Sequence, residues 1–162
     1  MLFSIQEIAE QLQSSRFGKK VVFCSGSFDI LHEGHLNFLR QAKSHGDILV
    51  VAVNSDIVVS SRKGPTRPVM SEKTRSAIVC ALGGMVDFVF IKQPNQTKED
   101  IISILKPDVV VFCNDNFRSE KHVERCINLE RLFPYVIFII SVEDKRTEGW
   151  STTEIIEKIK KS

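Results

Sequence analysis

Two histidines separated by a glutamate and a glycine stand where a short apolar run gives way to a helical pattern. His32, Gly34 and His35 follow the Val-rich run 20–24 and precede apolar residues at helical spacing, which predicts both imidazoles on one face at a helix N-terminus. Unpaired backbone N–H groups give such an end roughly half a positive charge, which attracts anions. Two imidazole N–H groups there could donate to a phosphate oxygen whose charge grows in a transition state. The alternatives are a surface pair and a zinc site, for which the sequence completes no ligand set.

The residues before the histidines favour a close approach to a ligand. Gly26 and Ser27 end the first apolar run, and a glycine lets the chain turn tightly against a bound group. Asn54 and Asp56 end a second, almost unbroken apolar run at 47–54. Because ligands of open α/β sheets bind beyond the C-terminal strand ends, both ends are expected to border one crevice. Asp56 could equally cap the next segment.

Apolar runs that alternate with helical patterns predict the fold. Strands are expected at 20–24, 47–54, 85–91, 108–113 and 135–140, and helices at 4–14, 32–45, 71–82, 97–106, 119–132 and 152–161. This alternation with right-handed crossovers predicts an α/β fold, a Rossmann-like, doubly wound, parallel five-stranded sheet. With 162 residues and 43% hydrophobic content, one domain over 1–162 is expected, with 1–17 as an N-terminal helical extension.

The N-terminal helix has its own start signal, because Ser4 and Glu7 form a capping-box pattern. It is expected to pack against the domain, as a lid or a dimer contact, and a homodimer is predicted. The stretch 60–68, SSRKGPTRP, carries two prolines, a glycine and three cations. That composition predicts a mobile basic loop without regular structure, which either closes over phosphates or is merely solvated.

Composition narrows the classes of partner. A net charge of +2 with interspersed signs gives no basic stripe for nucleic acid. The four cysteines are widely spaced without a CxxC pair, which favours buried free thiols in a reducing, cytoplasmic compartment. No apolar run approaches about 18 residues and the N-terminus does not resemble a signal peptide, so no membrane partner is expected.

Four motifs in this order resemble those of the cytidylyltransferase-like nucleotidyltransferases. They are Gly26-Ser27-Phe28-Asp29, His32-x-Gly34-His35, Arg62-Lys63-Gly64 and Arg146-Thr147-Glu148-Gly149-Trp150-Ser151-Thr152-Thr153. The resemblance covers about 18–160 and implies a fold of the HxGH nucleotidyltransferase type. It implies the catalytic residues His32, His35, Lys63 and Arg146. With the strand-end residues included, the predicted nucleotide contacts are Gly26, Ser27, Phe28, Asp29, Gly34, Asn54, Asp56, Arg67, Arg75, Asp115, Ser151, Thr152 and Thr153.

The reaction implied by this resemblance moves a nucleotidyl group from a nucleoside triphosphate to a phosphorylated acceptor and releases pyrophosphate. His32 and His35 are expected to donate to the α-phosphate, and Lys63 and Arg146 to neutralise charge. Mg²⁺ would bridge the triphosphate, with no metal ligands assigned to the protein. For Arg75 a surface salt bridge is the alternative to a phosphate contact.

Base and acceptor are indicated by two conflicting resemblances. The segment 63–69, with Asn54 to Asp56 and an N-terminal helix, resembles the heptose-1-phosphate adenylyltransferases, which implies ATP and a sugar 1-phosphate. The segment 146–149 instead resembles glycerol-3-phosphate and ethanolamine-phosphate cytidylyltransferases, which implies CTP with a polyol or amino-alcohol phosphate. Relatives commonly carry a glycine-containing Gly-Asp pair where this chain has Cys113-Asn114-Asp115-Asn116. That departure motivates a further alternative, a nucleotide-binding module without turnover.

Overall fold

The computed structural model describes residues 2–113, 120–141 and 151–161. Within these ranges one parallel sheet has the strand order β3-β2-β1-β4-β5. Its strands are β1 (Val21–Gly26), β2 (Ile48–Asn54), β3 (Phe88–Lys92), β4 (Val109–Phe112) and β5 (Ile137–Ile140). The helices are α1 (Ile5–Ser15), α2 (Glu33–Lys43), α3 (Asp56–Lys63), α4 (Glu72–Cys80), α5 (Lys98–Leu105), α6 (Glu120–Leu132) and α7 (Thr152–Lys160). The predicted doubly wound α/β fold is confirmed.

Helices cover both faces of the sheet because the inner strands are apolar on both sides. In β1, Val21 and Phe23 pack into a core cluster that includes residues of α1, α5 and α6. Val22 and Cys24 face the other way, into a cluster that includes residues of α2 and α4. The strand order reverses between β1 and β4, so a crevice opens beyond their C-terminal ends. This crevice is where the sequence places its polar residues.

The N-terminal helix begins as its sequence predicts. Ser4 caps α1, and its side chain and that of Glu7 form the reciprocal capping box. Ile8, with an exposed fraction of 0%, lies in the same core cluster as β1. Phe3 N–H also donates to the Val89 carbonyl at 3.1 Å, which ties the start of the chain to β3.

The stretch 60–68 is the clearest correction to the sequence prediction. Its first four residues belong to helix α3, which Ser55 caps by accepting from Val58 N–H. Gly64, at φ +93°, ends the helix, and the prolines begin only after it. The loop prediction was wrong for 60–63 because the glycine and prolines dominated its composition, although they lie beyond the helix end.

Helix α6 exposes several apolar side chains. Val123, Ile127 and Leu132 are 43%, 44% and 62% exposed, while Leu129 is fully buried. Tyr135, after the end of the helix, is 60% exposed. The predicted homodimer stays a prediction. Among the described helices, none combines the length and apolar character that a membrane crossing requires.

Candidate active site

The turn after β1 is held in an unusual backbone conformation. A Cβ atom on Gly26 would lie 2.8 Å from Cε2 of the Phe28 ring, so a larger residue there would have to displace that ring. Phe28 and Ile30 have φ values of 49° and 50°, a region that side chains other than glycine rarely occupy. Such conformations persist where surrounding contacts determine them, often at functional sites. They place Asp29, between the two, in the interior with an exposed fraction of 1%.

Asp29 fixes the loop that follows α3. Its carboxylate accepts hydrogen bonds at 3.0 Å from the backbone N–H groups of Val69 and Met70, and an ion pair at 2.9 Å from Nε of Arg67. Nη2 of Arg67 is buried and has no hydrogen-bond partner among the described residues. Asp29 and Arg67 therefore brace the β1 turn against this loop. Their direct contact with a nucleotide stays a prediction.

The two histidines lie at the start of α2, as the sequence predicts. His32 is the N-cap residue, Gly34 is the second residue of the helix, and the imidazole rings of His32 and His35 stack with centroids 3.8 Å apart. Backbone N–H of His32 donates to Nδ1 of His35 at 3.4 Å. Because Nδ1 accepts, the proton of a neutral His35 lies on Nε2. His35 is therefore a donor through Nε2.

His35 is held in its neutral form. Its pKa is lowered from 6.5 to about 3, mainly by burial and then by the electrostatic effects of His32 and Lys63, while Asp29 opposes the shift. Lys63, the last residue of α3, is thus close enough to act on the histidine pair. A neutral imidazole with its proton on Nε2 can donate one hydrogen bond to a phosphate oxygen near pH 7.

This pKa shift predicts a pH-dependent stability. Between pH 6.5 and about 3 the unfolded chain binds a proton at residue 35 that the folded chain does not bind, so stability falls as the pH is lowered. The slope from this one group is about 1.4 kcal/mol per pH unit. Urea unfolding of the wild type and of His35→Gln at several pH values should show a shallower pH dependence for the variant.

The matched control is His45→Gln, which removes an exposed imidazole just past the end of α2. It should keep the wild-type slope. Identical slopes for wild type and His35→Gln between pH 6 and 4 would show that His35 is not held neutral by the fold.

The N-terminus of helix α7 lies next to the β1 turn and the histidine pair. Thr152, 6% exposed, donates its hydroxyl to the Asp29 carbonyl at 2.5 Å. Ser151 caps α7 in a capping box with Glu154, while Thr153 is exposed. The pKa of Glu154 is lowered mainly by hydrogen bonds from Ser151, and the electrostatic effects of Lys158 and His32 lower it further. The first turns of α7 and α2 therefore lie together, and two positive helix ends face one crevice.

Arg75 hydrogen-bonds to three separate segments of the chain next to the crevice. It is 0% exposed, and Nε donates to the Met70 carbonyl, Nη1 to the Ser27 carbonyl and Nη2 to the Asp56 carboxylate at 2.7 Å. The sequence alone allowed Asp56 to be either a ligand contact or a helix cap. In the structure it pairs with Arg75. The predicted salt bridge of Arg75 exists, although Arg75 itself is fully buried while the Asp56 side chain is 42% exposed. A phosphate contact of Arg75 stays a prediction.

The strand ends beside β1 carry two more polar residues. Asn54, 6% exposed, ends β2, and Lys92, 8% exposed, is its partner in the register of β3. Sequence reasoning missed Lys92, although a lysine directly after an apolar strand was a usable signal. Arg146 and Asp115, two further predicted site residues, lie outside the described residues.

These features define a Rossmann-like protein with a histidine pair at its first βα turn. A family model described as Cytidylyltransferase-like matches residues 23–158, and the chain belongs to that family.

Curated relatives match almost the whole chain. The "Bifunctional protein HldE" of Helicobacter pylori is 35% identical over 161 residues, covering 99% of this chain and 32% of the relative. The protein of that name from Pseudomonas putida is 37% identical over 164 residues, with 99% and 32% covered, and that from Campylobacter concisus is 40% identical over 159 residues, with 98% and 31%. The chain thus spans about a third of the length of these relatives.

Two solved structures share the fold. The lipopolysaccharide core biosynthesis protein from Thermoplasma volcanium has 30% identity and a TM-score of 0.62, covering 78% of this chain and 100% of that one. Pantoate-beta-alanine ligase from Francisella tularensis has the same TM-score at 16% identity, covering 100% of this chain and 78% of that one. The second supports the fold alone.

Proposed function

We propose that the chain is an adenylyltransferase that transfers AMP from ATP to a sugar 1-phosphate of the heptose 1-phosphate type, with release of pyrophosphate. The observation that carries the proposal is the neutral His35 beside His32, at the point where the N-termini of α2 and α7 converge. Similarity to HldE proteins over nearly the full chain and to a lipopolysaccharide core biosynthesis protein supports a sugar acceptor.

The proposed reaction needs no covalent enzyme intermediate. An oxygen of the acceptor phosphate bonds to the α-phosphorus of ATP, the bond from that phosphorus to the α,β-bridging oxygen breaks, and its electron pair leaves with pyrophosphate. Catalysis is then positioning and charge stabilisation. Nε2–H of His35 donates to an α-phosphate oxygen, His32 supports it, and Lys63 offsets negative charge. Arg146 is assigned the same task by its motif.

Mg²⁺ fits this site as a companion of the triphosphate. In the part of the chain that the structure describes, no three side chains of the His, Cys, Asp or Glu type are grouped to hold a metal. Mg²⁺ commonly keeps water and substrate phosphates as ligands, with few protein carboxylates, so a nucleotide-borne ion suits the donor set. When bound, it neutralises charge on the phosphates.

The proposal also includes a cellular location and the absence of a nucleic-acid partner. All four cysteines are free thiols, which suits a reducing, cytosolic location. Nucleic acid has no part in the proposed reaction.

The test is pyrophosphate release measured with each of ATP and CTP against a panel of phosphorylated acceptors. We expect release with ATP and a sugar 1-phosphate. Release with CTP and a polyol or amino-alcohol phosphate alone would replace the adenylyltransferase with the cytidylyltransferase alternative. Nucleotide binding without release from any pair would favour a binding module.

Thermal stability adds an independent comparison of the two bases. A ligand that binds only the native state raises its apparent stability, so ATP with Mg²⁺ should raise the melting temperature more than CTP with Mg²⁺.

A further inference from the structure

Four cationic side chains converge at the edge of the crevice on the sheet face opposite to α2. This basic cluster consists of Arg62, Lys92, Lys98 and Arg125. Lys92 lies two residues after Phe90 and four after Phe88, which pack into the core cluster of α1 and α5, so its side chain faces the same side of the sheet. Nζ of Lys98, the first residue of α5, lies 4.0 Å from the centroid of the Phe112 ring at the end of β4.

Among the described residues, cations outnumber carboxylates in this cluster. Glu99 acts on Lys92 and is engaged by Nη2 of Arg125 at 3.3 Å, and Glu130 acts on the neighbouring Cys126. Within the described ranges, the ammonium groups of Lys92 and Lys98 have no hydrogen-bond or ion-pair partner. Gathering like charges beside a protein interior is unfavourable unless an anion offsets them.

The electrostatics of the two lysines agree with this geometry. The pKa of Lys98 is lowered to about 8, mainly by burial and then by the charges of Arg125, Arg62 and Lys92, while the Cys126 thiol opposes the shift. The pKa of Lys92 is lowered by burial and then by Arg62 and Arg125, against Glu99. A bound anion should therefore raise both values.

The basic cluster and the histidine pair border one crevice. Lys92 is the register partner of Asn54, and its carbonyl accepts from Ser55 N–H at 3.0 Å. Arg62 belongs to the cluster, whereas the next residue, Lys63, acts on His35. The last turn of α3 thus separates two cationic regions, one at the histidines and one towards α5.

We propose that the basic cluster binds an anionic group, a phosphate or a carboxylate, of the acceptor substrate, separately from the phosphates of the nucleotide. This inference rests on the proposed function. The group has two possible sources, the phosphate that attacks or a second anionic group on the same sugar.

Binding is tested with inorganic phosphate as the probe, by calorimetry, with the nucleotide site filled by α,β-methylene-ATP and Mg²⁺. Lys98→Met and Lys92→Met should weaken phosphate binding at least about tenfold, because each removes a charge-assisted contact. Lys106→Met, which removes the same charge at the other end of α5, should bind like the wild type. Unchanged phosphate affinity in both cluster variants would overturn the proposal.

The comparison of phosphate affinity between the wild type and these variants remains valid if the nucleotide analogue does not bind. In that case the proposed function fails, and phosphate titration of the free chain still decides whether the cluster is an anion site. Wild-type binding lost in Lys98→Met and kept in Lys106→Met would support the site alone.

Steady-state kinetics distinguish the two sources of the anion. If the cluster holds the attacking phosphate, Lys98→Met should raise the KM for a sugar 1-phosphate at least about tenfold while the KM for ATP stays unchanged. If it holds a second group, this increase should appear only with a sugar bisphosphate. An unchanged KM for both acceptors contradicts the proposal.

Stability separates binding from a structural role. Lys98→Met removes repulsion from three like charges and keeps an apolar chain over Phe112, so its urea midpoint should equal or exceed that of the wild type. A lower midpoint together with unchanged phosphate affinity would mean that Lys98 serves the fold.

Discussion

His35→Ala should lower kcat with ATP and a sugar 1-phosphate roughly 10²–10³-fold, the usual loss for one hydrogen-bond donor to a developing charge. The KM for ATP should change much less, because the donor acts mainly on charge that develops in the transition state. The ring is stacked on His32, with centroids 3.8 Å apart, and lies near Phe28, with centroids 5.4 Å apart.

The matched control is His45→Ala, at an exposed position just after α2, which should retain wild-type kcat. Circular dichroism and urea unfolding of both variants show whether they fold. Full turnover by a folded His35→Ala with a proven substrate would refute the catalytic role of His35.

Asp29→Ala should lower the free energy of unfolding by about 3–5 kcal/mol, since it leaves the buried Arg67 without its counter-charge. The Asp29 side chain is 0% exposed and the Arg67 side chain is 10% exposed, so water can do little to replace the ion pair. The backbone N–H groups of Val69 and Met70 also lose their acceptor. Urea unfolding measures the loss, and Glu157→Ala, at an exposed position on α7, should stay within about 0.5 kcal/mol of the wild type.

A double-mutant cycle with Arg67→Met identifies the source of that loss. The double variant should be less destabilised than the sum of the two single variants, because each single change removes the same ion pair. Additive effects, or a loss below about 1 kcal/mol for Asp29→Ala, would mean that this pair does not brace the turn.

The elements that were predictable are those specified by local pattern. The apolar run 47–54 contains β2, Ile48–Asn54, in which every residue is buried, and Ser4 with Glu7 forms the expected capping box. Each of these two signals is contained in a few consecutive residues. The position of the histidine pair at the start of a helix was also predictable from a local sequence pattern. Helix α3 was missed because its cap, Ser55, is a short local signal that the composition of the following loop obscured.

The contacts that shape the site depend on residues far apart in the chain. Arg67 reaches Asp29 across 38 residues, and Arg75 reaches Ser27 across 48. Nothing at either position in the sequence specifies the partner, so Arg75 could be predicted as a phosphate ligand as readily as an internal brace. The pKa of His35 and the convergence of Lys92, Lys98 and Arg125 likewise follow from burial and from the order of the strands, which local patterns do not encode.

Direct transfer of the nucleotidyl group is tested most directly by following the α-phosphate of ATP in a single turnover. The chain, in excess over ATP labelled at the α-phosphate, is mixed with Mg²⁺ and a sugar 1-phosphate, quenched in acid, and the label is located. We predict that all transferred label appears in the nucleotide-sugar product, with none on the protein. Label on the protein, label in free AMP, or label retained in ATP across the whole acceptor panel would contradict the account.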